Sequence, residues 1–144
     1  MLILSKQHLP RETGASVYGT YSRDGFHAAV LGNGPVASDS VCGRFSFLRG
    51  AKGATSCFSD IFKRSRGRQH YVGEWHSHPG GPTTPSTLDN RTLRAIAVDR
   101  ATNCPECILL LIGGDIANQP RLGVYVYSRE RGRVDLHPDG RRRT

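Results

Sequence analysis

His76 and His78, one residue apart, and Asp89, reached through a proline- and glycine-bearing stretch, make up the donor set a catalytic zinc ion needs. Two imidazoles and one carboxylate leave a coordination position open for water, whereas a structural zinc clip is closed by four protein ligands. If Gly73-Glu74-Trp75-His76-Ser77-His78-Pro79 is extended, alternate side chains share a face and the two histidines project together. Gly80-Gly81-Pro82 lets the chain fold back, and Ser86-Thr87-Leu88-Asp89 has the form of a helix start, with Ser86 at the N-cap and Asp89 at the third helical position. The two roles of this segment are compatible, because the backbone of Ser86 can open the helix while its hydroxyl faces an ion. This chemistry is that of a metallohydrolase, in which zinc lowers the pKa of water toward ~7 and a nearby carboxylate takes the proton.

The elements that must hold these groups are partly legible. Ser16 to Tyr21 and Phe26 to Leu31 flank Ser22-Arg23-Asp24-Gly25 and predict a β-hairpin. Gly43 to Leu48 reads as a third strand, followed by a Gly-rich loop from Arg49 to Gly53. Cys57, Phe58, Ile61 and Phe62 recur at helical spacing and predict a helix from Thr55 to Ser65, capped by Thr55 or Ser56. A strand over His70 to His76 delivers the first histidine into the loop from Pro79 to Pro85, and a helix from Thr87 to about Ala101 follows, with Leu88, Thr92, Ala95 and Ile96 on one face. Cys107 to Ile112 reads as a buried strand, and Leu122 to Ser128 with Arg133 to His137 as a closing hairpin. Trp75 points away from the histidines and belongs to the core, while His8, His27, His70 and His137 lack ligand spacing.

At 144 residues, the chain suits one domain with a real core. No apolar run approaches the ~20 residues of a membrane span, and Leu2-Ile3-Leu4 is too short for a signal-peptide core, so a cytoplasmic location is expected. The net charge of +8 is concentrated in Lys63-Arg64-Ser65-Arg66-Gly67-Arg68 and Arg141-Arg142-Arg143, which suit a solvated face, an acidic protein or nucleic acid. Cys104-Pro105-Glu106-Cys107 has no second CxxC to complete a zinc ribbon, and Cys42 and Cys57 do not supply one, so buried free thiols are expected ahead of a second zinc site or a regulatory disulfide.

His76-Ser77-His78-Pro79, seven residues from Pro79 to Pro85, then Ser86-Thr87-Leu88-Asp89 resembles the JAMM motif of the JAB/MPN zinc metalloproteases. Upstream, Glu12-Thr13-Gly14-Ala15 is similar to that family's Glu-Thr-Gly-Gly segment, with Ala15 in place of the second glycine. The resemblance covers residues 10 to 128, leaving a basic tail over 138–144. It implies a single-domain α/β fold of the cytidine-deaminase-like kind, a mixed, curved sheet flanked by helices. It also implies one Zn2+ per chain on His76, His78 and Asp89, Glu12 as general base, and Ser86 as hydrogen-bond donor to the oxyanion. Glu74, two residues before His76 on the same strand face, is the rival base.

The family hydrolyses the amide bond after the C-terminal glycine of ubiquitin-like modifiers. The core Gly73 to Pro79 resembles bacterial deconjugating peptidases found beside E1-like and E2-like enzymes, including those of anti-phage defence islands, where the conjugated protein is a CD-NTase nucleotidyltransferase. Sulfur-carrier processing peptidases are an alternative within the family. RadC-like DNA-associated relatives share the HxHPxG and PSxxD pattern but lack the segment around Glu12.

Overall fold

The computed structural model describes residues 1–25 and 27–137, so Phe26, the first residue of the expected second hairpin strand, and the basic tail from 138 onward lie outside the described residues. The elements are α1 (Leu2–His8), β1 (Gly14–Tyr21), β2 (Ala28–Asn33), β3 (Val41–Cys42), β4 (Phe47–Leu48), α2 (Ala54–Arg64), β5 (His70–Pro79), α3 (Thr87–Val98), β6 (Glu106–Asp115), β7 (Gln119–Ser128) and β8 (Gly132–Leu136). Six strands form one mixed sheet in the order β2-β1-β5-β6-β7-β8, in which only β5 and β6 run parallel. That pair is joined through α3, as a parallel crossover requires.

Each face of the sheet has its own core. Ala15, Val17, Val72, Trp75, Ile108, Leu110 and Ile112 bury one face with help from Met1 and, in α1, Leu4. Leu109, Leu111, Cys104, Cys107, Tyr125 and Tyr127 bury the other against Leu93 and Ala97 of α3, and Phe58 of α2 meets Tyr71 edge-on beside them. Trp75 is fully buried, as its parity in the strand predicts. The parity is reset within β5: the pairing with β1 shifts between Val17 and Tyr18, and Gly73 sits at φ 154° where a Cβ would run into the Ile108 carbonyl. This bulge puts Tyr71 and Glu74 on one face and Val72 and Trp75 on the other.

Several sequence expectations are corrected. The third strand over Gly43 to Leu48 is instead a separate hairpin of two-residue strands, because Gly43 turns the chain and its N–H donates to the Ser46 carbonyl at 2.8 Å. The N-cap of α2 is Gly53 in the left-handed region, neither Thr55 nor Ser56, and no side chain caps the helix. α3 stops at Val98 rather than Ala101, since the Asp99 carboxylate accepts from the backbone N–H groups of Ala101 and Thr102 and holds a turn there. Its buried residues are Leu93 and Ala97, whereas Leu88 is half exposed and lines the cleft described below. No helix among the described residues is long and apolar enough to cross a membrane.

Candidate active site

The end of β5 carries His76 and His78 on the same face, and the capped start of α3 brings Asp89 to them. His76 Nε2 lies 3.0 Å from His78 Nε2 and 3.2 Å from Asp89 Oδ1, and His78 Nε2 lies 3.8 Å from Asp89 Oδ2. Zinc–nitrogen and zinc–oxygen bonds of ~2.0–2.1 Å place tetrahedral ligand atoms roughly 3.3 Å apart, so these donors stand close to the separations the ion needs. Among the described residues this is the one group of three or more such side chains with ligand atoms gathered this closely. The His78 Nδ1–H donates to the Pro82 carbonyl at 3.0 Å, which fixes the tautomer and leaves Nε2 to act as a ligand.

Asp89 closes the N-terminus of α3 while its second oxygen faces His76. Its Oδ2 accepts from the Ser86 N–H at 2.7 Å while Ser86 Oγ accepts from the Asp89 N–H at 3.1 Å, a complete capping box. Burial works to raise the Asp89 carboxyl, but the bond and charge of His76 and the bonds from Ser86 outweigh it and hold the group down at about 2. The Ser86 side chain therefore bonds the Asp89 backbone N–H and lies beside its carboxylate.

Glu12 reaches the same cleft from the segment before β1. Ser77, buried between the two histidines, ties that segment down: the Thr13 N–H donates to Ser77 Oγ at 3.1 Å and the Ser77 N–H donates to the Thr13 carbonyl at 2.8 Å. On its other side the Glu12 N–H donates to the Gly43 carbonyl at 2.7 Å, which couples it to the β3–β4 hairpin. Burial pushes the Glu12 carboxyl up against the pull of His78 and His76, and the nearby Asp89 charge adds to the rise. The cleft, about 690 Å3, is lined by Glu12, His76, His78, Ser86, Asp89 and, from the hairpin, Phe47.

Glu74 does not line this cleft. It is buried, with Arg49 Nε of the following loop 3.1 Å away, Tyr71 OH donating at 2.7 Å and Ser16 Oγ at 3.2 Å. Burial pushes its pKa up and these three partners pull it down. Its oxygens are therefore occupied by structural bonds.

Three contributors escaped the sequence reading. Ser77 faces away from the His76 and His78 side chains and bridges two segments 64 residues apart. Phe47 stacks on His76 with ring centroids 6.2 Å apart and 27° between planes. Gly14, opposite His76 in the β1–β5 ladder, is required by close approach, since a Cβ there would stand 2.3 Å from the Trp75 carbonyl oxygen and 2.6 Å from His76 Cβ. Only Gly14 left a local signal, as part of the Glu-Thr-Gly segment. Cys104 and Cys107 are free thiols, fully buried in the core under α3.

Comparison with known proteins agrees with this geometry. A family model for prokaryotic homologues of the JAB domain matches residues 1–130. A protein of Enterobacter hormaechei described as a CD-NTase/cGAS isopeptidase is 36% identical over 118 residues, 82% of this chain and 64% of that protein. A Vibrio cholerae protein with the same description is 32% identical over 107 residues, 74% of this chain and 64% of its own length. The matched region thus spans 64% of the length of both relatives. A solution structure of a Desulfitobacterium hafniense protein shares the fold, with a TM-score of 0.57 and 21% identity, over 95% of this chain and 83% of that one.

Proposed function

The chain belongs to the family of prokaryotic JAB-domain homologues, and from that premise and the site's geometry we propose that it is a zinc-dependent isopeptidase. Its substrate is an amide bond after the C-terminal glycine of a conjugated protein, and the descriptions of its relatives favour a CD-NTase in that position over a ubiquitin-like modifier. The attachment would be the work of a bacterial E1/E2-like ligase in the cytoplasm, with this chain as the deconjugating enzyme. The observation that carries the reading is the convergence of Glu12 on the cleft of His76, His78 and Asp89 through the Ser77 strap. A RadC-like, DNA-associated role needs no glutamate there, and a sulfur-carrier peptidase would use the same site on another substrate.

His76, His78 and Asp89 would hold the zinc, which when bound supplies Lewis acidity toward water and the scissile carbonyl. The Glu12 carboxylate takes a proton from water at neutral pH and returns it to the leaving amine. Between those two proton transfers the water oxygen bonds to the scissile carbonyl carbon and charge develops on the former carbonyl oxygen, to which the Ser86 O–H in the cleft wall donates; the charge collapses as the C–N bond breaks. No side chain forms a covalent acyl intermediate. Phe47 and the hairpin cover His76 and limit solvent on that side.

The test is zinc content together with intact-mass analysis of a glycine-linked CD-NTase conjugate. About one zinc per chain and release of a product with a free C-terminal glycine are expected, with both cleavage and metal lost in His78→Ala. Glu12→Ala should keep the zinc and lose cleavage. Full activity in Glu12→Ala would return the base to Glu74.

A further inference from the structure

We propose that the groove between the C-terminal end of α2 and strand β1 is a binding site for phosphate esters, separate from the zinc-ligand cleft and independent of the peptidase reading. Gln69 leads directly into β5 at His70, six residues from His76, which places the groove about 20 Å back along the strand. It has a volume of about 530 Å3, and its polar lining is Tyr18, Thr20, Arg64, Ser65, Arg68 and Gln69, with no carboxylate.

The two arginines are anchored in a manner that leaves their forks free. Arg64 Nε donates to the Asp60 carbonyl at 3.4 Å and Arg68 Nε to the Ser65 carbonyl at 3.1 Å, and neither guanidinium is in an ion pair among the described residues. The loop that carries Arg68 is itself pinned, with Ser65 Oγ donating to the Phe62 carbonyl and accepting from the Gln69 N–H. Lys63 and Arg66 add two more exposed cations within the same six residues.

The bland account of such a cluster is complementation of a helix C-terminus. Here that end is already closed by backbone donors: the N–H groups of Ser65, Arg66 and Gly67 reach the carbonyls of Ile61, Lys63 and Phe62 at 2.9, 3.0 and 2.8 Å. Arg66 and Gly67 adopt positive φ to make this possible. Four cations beyond what capping requires repel one another, and a bound anion relieves that repulsion. One carboxylate satisfies a single fork, whereas a phosphate offers several oxygens to two guanidiniums at once, so the pair matches phosphate chemistry.

The probe is a fluorescein-labelled fifteen-residue oligothymidylate, followed by anisotropy at a series of salt concentrations with the full chain. Binding should weaken with salt, and Arg64→Ala/Arg68→Ala should weaken it at least ~10-fold and reduce the salt slope by roughly 1.4, at ~0.7 for each single-strand phosphate no longer neutralised. Arg121→Ala, at the zinc-site end of the sheet beside Gly113, should bind as the parent does. Competition by ATP distinguishes the source: displacement points to a free nucleotide, its absence to a polymer, and either supports the site. Failure of the oligonucleotide and of ATP to bind at low salt would overturn it, as would parental affinity in a double variant with an unchanged melting curve. Tighter, arginine-dependent binding of poly-glutamate would overturn it too, by assigning the surface to acidic protein instead.

Discussion

Ser77→Ala should separate metal binding from base positioning. The substitution removes Ser77 Oγ, which accepts from the Thr13 N–H at 3.1 Å, while the backbone bond from the Ser77 N–H to the Thr13 carbonyl at 2.8 Å is unchanged. Thr13 is fully buried, so its N–H is left without water or a partner, at a cost of about 1–3 kcal/mol. At roughly 3–5 °C per kcal/mol for a domain of this size, the melting temperature should fall by about 3–15 °C. Glu12 is still held by its N–H bond to Gly43, so the segment drifts without detaching. A displacement of order 1 Å at a reacting group costs up to ~10²-fold, and a loss of about 10- to 100-fold in kcat with little change in KM is expected. Zinc stoichiometry should stay near one, because the imidazoles do not depend on this hydroxyl. The measurements are steady-state cleavage of a glycine-linked conjugate, metal analysis and thermal melting on the same preparation. Parental kcat and melting temperature would refute the strap, and loss of zinc alongside activity would show that Ser77 acts on β5 instead.

Gly14→Ala forces a Cβ to within 2.3 Å of the Trp75 carbonyl oxygen and 2.6 Å of His76 Cβ, so it should destabilise by about 1–3 kcal/mol and weaken zinc binding, read by melting and chelator competition. Ser86→Ala loses both a cap acceptor and the proposed oxyanion donor; a stability loss of about 1 kcal/mol and a kcat loss of ~10²-fold are expected, while Ser86→Gly should restore most of the stability without the rate. Cys104 and Cys107 are fully buried, so a thiol reagent should modify at most Cys42 and Cys57 in the native protein and all four after denaturation, counted by mass.

The cluster of His76, His78 and Asp89 was legible because each of its parts is local. Two-residue periodicity puts His76 and His78 together wherever the chain is extended, and Ser86 with Asp89 signals a cap from four consecutive residues. What escaped depends on tertiary contact. Val41–Cys42 and Phe47–Leu48 are strands too short to show a period, and their place over His76 comes from Gly43 and from Phe47 stacking. The inward face of α3 was misassigned because the cleft draws Leu88 outward and the sheet takes Leu93 and Ala97. Glu74 and Glu12 could not be ranked from spacing. Arg49, which occupies Glu74, comes from a loop, and Ser77, which places Glu12, acts across a ladder between distant segments.

Capping and ligation at Asp89 reinforce each other. A carboxylate has two oxygens, and the capping box uses Oδ2 on the Ser86 N–H, which turns Oδ1 toward His76 Nε2. The helix start therefore fixes the rotamer a metal ligand needs without consuming the donating oxygen. His78 follows the same logic, its Nδ1–H spent on the Pro82 carbonyl so that Nε2 faces inward. Each ligand is aimed by a bond that belongs to ordinary backbone satisfaction, so little conformational entropy remains to be lost when the ion binds. The SxxD spacing is thus a folding signal that also serves the proposed site: the geometry that closes a helix N-terminus points a carboxylate oxygen across the end of the neighbouring strand.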